Sequence, residues 1–226
     1  MNTAIIAAAG SGTRFNSQTP KQFLEILGKP LIVHTLERFE ACLAIDQIVL
    51  VLPAGDLTNF QVVSGAFQIG KLRRIIAGGN TRAASVLNGL NAVECAPDDI
   101  VAVHDGARPL VSIAEITQTI EKARETGAAC LVATVTDTIK EIDGGRIVGT
   151  VDRTKLRRAL TPQAFRYEIL QKAFAHGDVG EIATDECYLV EKLGYEIAYI
   201  EGSARNIKIT HPEDVRIAEM YLQSKE

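Results

Sequence analysis

The chain has 226 residues, 46% of them hydrophobic and 23% charged, which is enough for one well-formed core. Its 24 Lys and Arg against 28 Asp and Glu leave a formal net charge of -4, with no basic tail and no long like-charge run, so it does not read as a nucleic-acid binder. No apolar stretch approaches a membrane span, and no basic segment precedes an apolar one at the start, so a cytoplasmic protein with no nucleic-acid or membrane partner is expected.

In chain order the elements alternate. TAIIAAA, from Thr3, is a first strand that runs into Gly10-Ser11-Gly12-Thr13-Arg14. A long loop leads to Pro30, which suits a helix first turn, and LIVHTLERFEAC, 31 to 42, has helical spacing. QIVLVLP, 47 to 53, and RRIIAGG, 73 to 79, are strands separated by a loop, and a helix covers 81 to 95. DIVAVHDG, 99 to 106, is a strand ending in polar residues. Ser112 and Glu115 have capping-box spacing for a helix that runs to Gly127, and AACLVATV, 128 to 135, is the next strand. Thr184-Asp185-Glu186 opens a helix that ends at Gly194, with acidic residues complementing its dipole. Thr210 and Glu213 repeat the capping-box spacing before a final helix. Buried apolar strands alternating with helices define an α/β fold, one Rossmann-like domain over 1 to 226 with a mostly parallel sheet.

One stretch departs from that rhythm. IKEIDGGRIVGTV, 139 to 151, alternates around Asp143-Gly144-Gly145 and reads as a β-hairpin projecting as an arm, about 137 to 153. In a protein that dimerises such an arm is a natural contact.

The cysteines, Cys42, Cys95, Cys130 and Cys187, are far apart with no C-x-x-C, which favours reduced and mostly buried thiols over a disulfide framework or a zinc site. The four histidines form no H-x-x-x-H pair.

In a doubly wound sheet ligands bind beyond the carboxyl ends of the strands. After the first strand come the glycine turn, Arg14 and Lys21; after the third come Gly78, Gly79, Asn80, Arg82 and Ser85; after the fourth come His104, Asp105, Gly106 and Arg108. The glycine turn does not complete a dinucleotide motif. Phe15 occupies the place of the third glycine, and the second strand ends at Leu52-Pro53 with no acidic residue. Gly65, Gly70 and Lys71 approach a P-loop pattern, but Leu72 has no hydroxyl for Mg²⁺ and the stretch precedes a strand, so it is a loop. Glycines that let backbone N–H groups approach phosphate oxygens, with Arg14 and Lys21 beside them, fit a triphosphate better. Asp105 at a strand end suits a ribose hydroxyl or Mg²⁺, whereas His104 reads as a hydrogen-bonded structural residue rather than a base. A second basic group, Arg153, Lys155, Arg157, Arg158 and Lys208, in a chain of negative net charge, implies a small anionic substrate; Arg153 and Lys208 are the better candidates for gripping a phosphate.

With these pieces placed, the chain resembles the 2-C-methyl-D-erythritol 4-phosphate cytidylyltransferases of the non-mevalonate isoprenoid pathway. The resemblance runs through AAAGSGTRF, PKQF, GGNTRAASV, HDGARP, DTI, TVDR, LTPQAF, TDE and NIKIT, in that order. It implies transfer of CMP from CTP to methylerythritol phosphate, with Arg14 and Lys21 as catalytic cations at the α-phosphate. Arg153 and Lys208 would hold the sugar phosphate, and Asp105, Arg108, Thr138, Thr161 and Thr184 would complete its pocket. Ala8, Ala9, Gly10, Ser11, Gly12, Thr13, Gly79, Asn80, Ser85 and Asp105 would bind CTP, with backbone around Asn80 reading the base. The resemblance also implies Mg²⁺, bound mainly by the CTP phosphates and near Asp105, and a homodimer whose hairpin arm reaches the neighbouring subunit's site. A ribitol-5-phosphate cytidylyltransferase is the nearest alternative; a nucleotidyltransferase for another base, an NAD(P) oxidoreductase and a non-catalytic nucleotide-binding module stand further off.

Overall fold

The computed structural model describes residues 1–10, 20–176 and 184–224. Its strands are β1 Asn2–Ala7, β2 Glu25–Ile26, β3 Lys29–Pro30, β4 Gln47–Leu52, β5 Leu72–Ala77, β6 Ile100–Asp105, β7 Ala128–Thr134, β8 Lys140–Asp143, β9 Arg146–Thr150, β10 Arg157–Arg166 and β11 Ala198–Glu201. Its α-helices are α1 Leu31–Ala41, α2 Leu57–Ser64, α3 Arg82–Asn91, α4 Ile113–Thr126, α5 Tyr167–His176, α6 Glu186–Lys192 and α7 Pro212–Gln223.

Seven strands form the main sheet in the order β11-β7-β10-β6-β1-β4-β5. Within it β1, β4, β5 and β6 are parallel, β11 is parallel to β7, and β10 runs antiparallel to both of its neighbours. The period-2 alternation of a strand sends side chains to both faces, and both are apolar here. Ala4, Ile6, Ile48, Leu50 and Leu52 join the core with α1 and α4. Ile5, Val49 and Val51 join the opposite core with α3, α5 and α6. α3 lies so close to β1 that a Cβ on Gly89 would stand 2.6 Å from Ile5 Cγ2.

The hairpin is a separate two-stranded sheet of β8 and β9, turned by Gly144 and Gly145 at φ 49° and 76°. Two successive positive φ values are what a tight turn matched to strand twist requires. The Ser112–Glu115 capping box forms as expected, and Gly127 ends α4 at φ 92°. The four cysteines are free and three of them are buried.

The structure shifts several boundaries. α3 spans 82–91 rather than 81–95, because Thr81 is its cap: its hydroxyl accepts from the Ala84 N–H at 3.0 Å. α6 is capped by Asp185, whose Oδ1 accepts from the Tyr188 N–H at 2.9 Å. α7 is capped one residue later than the Thr210–Glu213 spacing implies. Pro212 fixes the first helical position, so the reciprocal acid is Asp214, which accepts from the N–H groups of Thr210 and His211 at 2.7 and 2.8 Å. The sequence reading assigned no element to α2, β10, α5 or β11. In β10, Pro162 follows a cis peptide bond and lies where the register slips, so that Ala159 to Gln163 faces only Val132 to Cys130. A proline there displaces no ladder hydrogen bond.

Candidate active site

A cavity of about 560 Å³ opens at the carboxyl ends of β1, β5 and β6. Its walls come from three chain crossings. Ala8, Ala9 and Gly10 extend from β1; Gly79, Asn80 and Ser85 form the turn between β5 and α3; Asp105 and Gly106 end β6. Backbone approaches backbone closely here, and glycine is what permits it. A Cβ on Gly78 would lie 2.3 Å from Ala9 Cβ, and one on Gly106 would lie 2.8 Å from Ala8 Cβ. The Ser85 hydroxyl organises the turn: it donates to the Thr81 carbonyl at 2.8 Å and accepts from the Gly79 N–H at 3.1 Å.

The floor carries charge. Asp105, buried at the end of β6, receives Arg82 Nε on Oδ1 at 3.0 Å. Its Oδ2 receives Lys208 Nζ at 2.9 Å and Arg108 Nε at 3.4 Å. Burial alone would raise the Asp105 carboxyl, but the Arg82, Lys208 and Arg108 charges outweigh it and hold it well below the usual carboxylate range. Arg82 also gives Nη1 to Glu186 Oε1 at 2.6 Å. Burial opposes its charge, yet the two carboxylates prevail and keep its guanidinium firmly protonated. Burial pushes the Glu186 carboxyl up, against the pull of Arg82. Lys21 opens a short 3-10 turn, Lys21–Phe23, and donates to the Ile209 carbonyl at 3.0 Å, which sets it in the same cavity as Lys208.

Beneath the floor β10 supplies support. The Asp105 N–H donates to Thr161 Oγ1 at 3.1 Å, and that hydroxyl lies 3.0 Å from His104 Nδ1. His104 Nε2 lies 3.1 Å from the Arg108 carbonyl, and burial pulls the imidazole down to about 4. A neutral ring bonded at both nitrogens is a strut and not a base, as expected for His104.

Of the residues singled out in the sequence, Ala8, Ala9, Gly10, Lys21, Gly79, Asn80, Ser85, Asp105 and Lys208 all line this one cavity. Arg108 stands behind it, tied to Asp105 and to the Asn206 carbonyl at 2.8 Å, and Thr161 lies below. Thr138 and Thr184 are exposed outside the cavity, and Arg153, also exposed, donates to the Thr136 carbonyl at the base of the hairpin. Ser11, Gly12, Thr13 and Arg14 lie outside the described residues. Two partners were not foreseen. Arg82 was placed at the strand end without a role, and Glu186 was read only as a helix-dipole acid. Their pairing joins residues 104 positions apart, and no local pattern announces it.

A doubly wound sheet whose carboxyl edge combines close-packed backbone turns with lysines and arginines defines a nucleotide- or phosphate-handling protein of the α/β class. The comparisons with known proteins make this specific. The sequence model of the family 2-C-methyl-D-erythritol 4-phosphate cytidylyltransferase matches residues 2–224, and the chain belongs to that family. It is 41% identical over 226 residues to the protein of that name from Syntrophus aciditrophicus, covering 99% of this chain and 96% of that one. The Geobacillus kaustophilus protein of the same name is 42% identical, with 98% and 97% covered. Among solved structures, the 4-diphosphocytidyl-2C-methyl-D-erythritol synthase of Anaerococcus prevotii superposes with a TM-score of 0.85 at 30% identity, covering 98% of this chain and 96% of that one. The Thermus thermophilus 2-C-methyl-D-erythritol 4-phosphate cytidylyltransferase gives 0.77 at 35% identity, with 96% and 97% covered.

Proposed function

We propose that the protein transfers CMP from CTP to 2-C-methyl-D-erythritol 4-phosphate and releases pyrophosphate, a step of non-mevalonate isoprenoid biosynthesis. Family membership supports the reaction. The observation that carries the site assignment is the convergence of the β1 turn, the Gly79–Ser85 turn, Lys21 and Lys208 on one cavity.

In this reading a phosphate oxygen of the sugar phosphate attacks the α-phosphorus of CTP. A new P–O bond forms, the bond to the β-phosphate bridge breaks, and pyrophosphate leaves with the electron pair. A phosphate monoester has a second pKa of about 6, so the nucleophile is already ionised at neutral pH and needs no general base. The tied, neutral state of His104 agrees with that. Lys21, together with Arg14 by family resemblance, stabilises charge that grows on the α-phosphoryl oxygens. Backbone of Ala8, Ala9, Gly79 and Asn80, ordered by Ser85, reads cytosine. Lys208 and Arg153 hold the sugar phosphate, and Asp105, Arg108, Thr138, Thr161 and Thr184 shape its pocket.

Arg153 and Thr138 flank the hairpin, away from the cavity of their own chain. The hairpin exposes Ile142, Ile147 and Val148 at 71%, 66% and 58%. We therefore assign these residues to a homodimer in which the arm serves the partner's site, covering an apolar surface that water otherwise meets.

The residues around Asp105 do not fit a protein-held Mg²⁺. Oδ1 is taken by Arg82, and Oδ2 by Lys208 and Arg108. A divalent ion is proposed to arrive on the triphosphate, as its oxygen ligands allow. No helix among the described residues is long and apolar enough to cross a membrane, consistent with an enzyme acting in the cytoplasm.

The test is pyrophosphate release with CTP and Mg²⁺, with methylerythritol phosphate or ribitol 5-phosphate as acceptor and ATP, GTP and UTP as controls. Release confined to CTP with methylerythritol phosphate is expected. Release with ribitol 5-phosphate alone would keep the chemistry and replace the substrate, and silence with every pair would overturn the reading.

A further inference from the structure

Glu186 is the first residue of α6, a position where a helix normally shows its acid to water, yet it is 1% exposed. It is carried there by β10. Gln163 Nε2 donates to Asp185 Oδ2 at 2.8 Å, and Gln163 Oε1 accepts from the Cys187 N–H at 3.1 Å, which fixes both residues flanking Glu186. Glu186 then accepts from Arg82 Nη1, while Arg82 turns Nε to Asp105. Two buried atoms of this pair, Arg82 Nη2 and Glu186 Oε2, have no hydrogen-bond partner among the described residues. Burying a carboxyl and leaving polar atoms unmet is costly, and apolar residues packed at both 82 and 186 would avoid it. The arrangement therefore calls for a role beyond stability.

Geometry supplies that role. Arg82 has several donors and could turn a pair of Nη groups to Asp105 in the usual two-pronged contact. That would draw on both carboxylate oxygens and displace Lys208 from Oδ2. Glu186 holds Nη1 and with it the plane of the guanidinium, so that Arg82 meets Asp105 through Nε alone, on Oδ1, while Nη2 reaches neither carboxylate. Oδ2 remains for Arg108 and for Lys208, the most exposed of the three cations.

We propose that Glu186 is a positioning residue of the active site: through Arg82 it sets the Asp105 carboxylate and thereby the place of Lys208 for the sugar phosphate. The proposal rests on the assignment of Lys208 to that phosphate. It acts through an accepting oxygen, so Glu186→Gln retains it and Glu186→Ala removes it.

The experiment measures KM for each substrate separately in wild type, E186A, E186Q and R82K, together with a crystal structure of E186A. E186A is expected to raise KM for methylerythritol phosphate at least fivefold with KM for CTP within twofold, and E186Q to stay within twofold of wild type for both. Lysine carries a point charge in place of the planar fork that fixes Nε on Asp105 and Nη1 on Glu186, so R82K is expected to share the E186A defect. A purely structural role would lower the melting temperature and the active fraction while leaving both KM values unchanged, and that result overturns the proposal. Should E186A fail to fold, R82K decides by the same split. An inactive wild type would refute the proposed function on its own; the E186A structure would then judge the positioning, with an unmoved Asp105 carboxylate overturning it.

Discussion

His104 connects the stability of the fold to the charged floor of the site. It is fully buried in β6, with Nδ1 3.0 Å from the Thr161 hydroxyl and Nε2 3.1 Å from the Arg108 carbonyl. A carbonyl only accepts, so Nε2 carries the proton and Nδ1 accepts from Thr161, leaving the Thr161 oxygen to accept the Asp105 N–H. Burial is the largest influence on the ring and brings it from 6.5 down to about 4. The folded state thus resists a proton that the unfolded chain takes up readily. The resulting stability is fully present above pH 6.5 and is lost as pH falls toward 4. At about 1.4 kcal/mol per pH unit, ~2.5 kcal/mol has gone by pH 4.5. His34, also pulled down chiefly by burial, adds a loss of the same sign, so the comparison must be with a His104 variant. Urea unfolding at pH 7.5 and 4.5 is the assay, on wild type and His104→Gln. The variant is expected to be less stable at pH 7.5 but to lose about 2 kcal/mol less between the two pH values. Equal losses in the two proteins would show that His104 does not bear the acid sensitivity, and the neutral-strut account of the floor would fall with it.

Four further outcomes are expected. Lys21→Ala should lower kcat by two orders of magnitude or more, about 3 kcal/mol of transition-state stabilisation, and a loss of tenfold or less would remove Lys21 from the catalytic clamp. Arg153→Ala should raise KM for methylerythritol phosphate with little change for CTP, and an effect on CTP alone would place it on the wrong substrate. Wild type should sediment as the proposed dimer and Ile142→Glu with Ile147→Glu as monomer, and a monomeric wild type would refute the assigned role of the arm. Gly78→Ala sets a Cβ 2.3 Å from Ala9 Cβ. It should destabilise by about 1–3 kcal/mol as overpacking does, with a raised KM for CTP, and a wild-type melting curve would contradict the packing described here.

The parts of this molecule legible in its sequence are those set locally. Buried apolar runs, the Ser112–Glu115 capping box and the paired glycines of the hairpin each carry their physics within a few residues, and each lies where expected. Gly10, the Gly79–Asn80 turn and Lys21 lie beyond the strand ends in the sequence pattern, and the fold brings them to one cavity. β10 was not legible because its first half is polar and its middle holds Pro162, both of which argue against a central strand unless the register slip is known. Glu186 was misjudged for a related reason. At a helix start an acid needs no explanation beyond the dipole, and only the approach of α3 gives it a buried arginine to meet.

The reversed direction of β10 explains why the charged floor can be rigid. In a wholly parallel sheet every strand would bring only its last residue and a loop to the ligand edge. β10 instead runs through that edge as strand, register slip included, and it supports the floor at two points. Thr161 fixes the backbone of Asp105, and Gln163 fixes the start of α6 from which Glu186 reaches Arg82. Asn206 closes the far side, donating to the Thr161 carbonyl at 3.0 Å while its own carbonyl holds Arg108. Asp105 and Glu186 are therefore held by the sheet and a helix start, and Arg82, Arg108 and Lys208 are paired to them, before a ligand enters. Cations fixed in advance stabilise a developing phosphoryl charge without reorganising at the moment of transfer. The same logic separates this floor from Arg153 and Thr138, which sit exposed at the hairpin base and outside the cavity, without such supports.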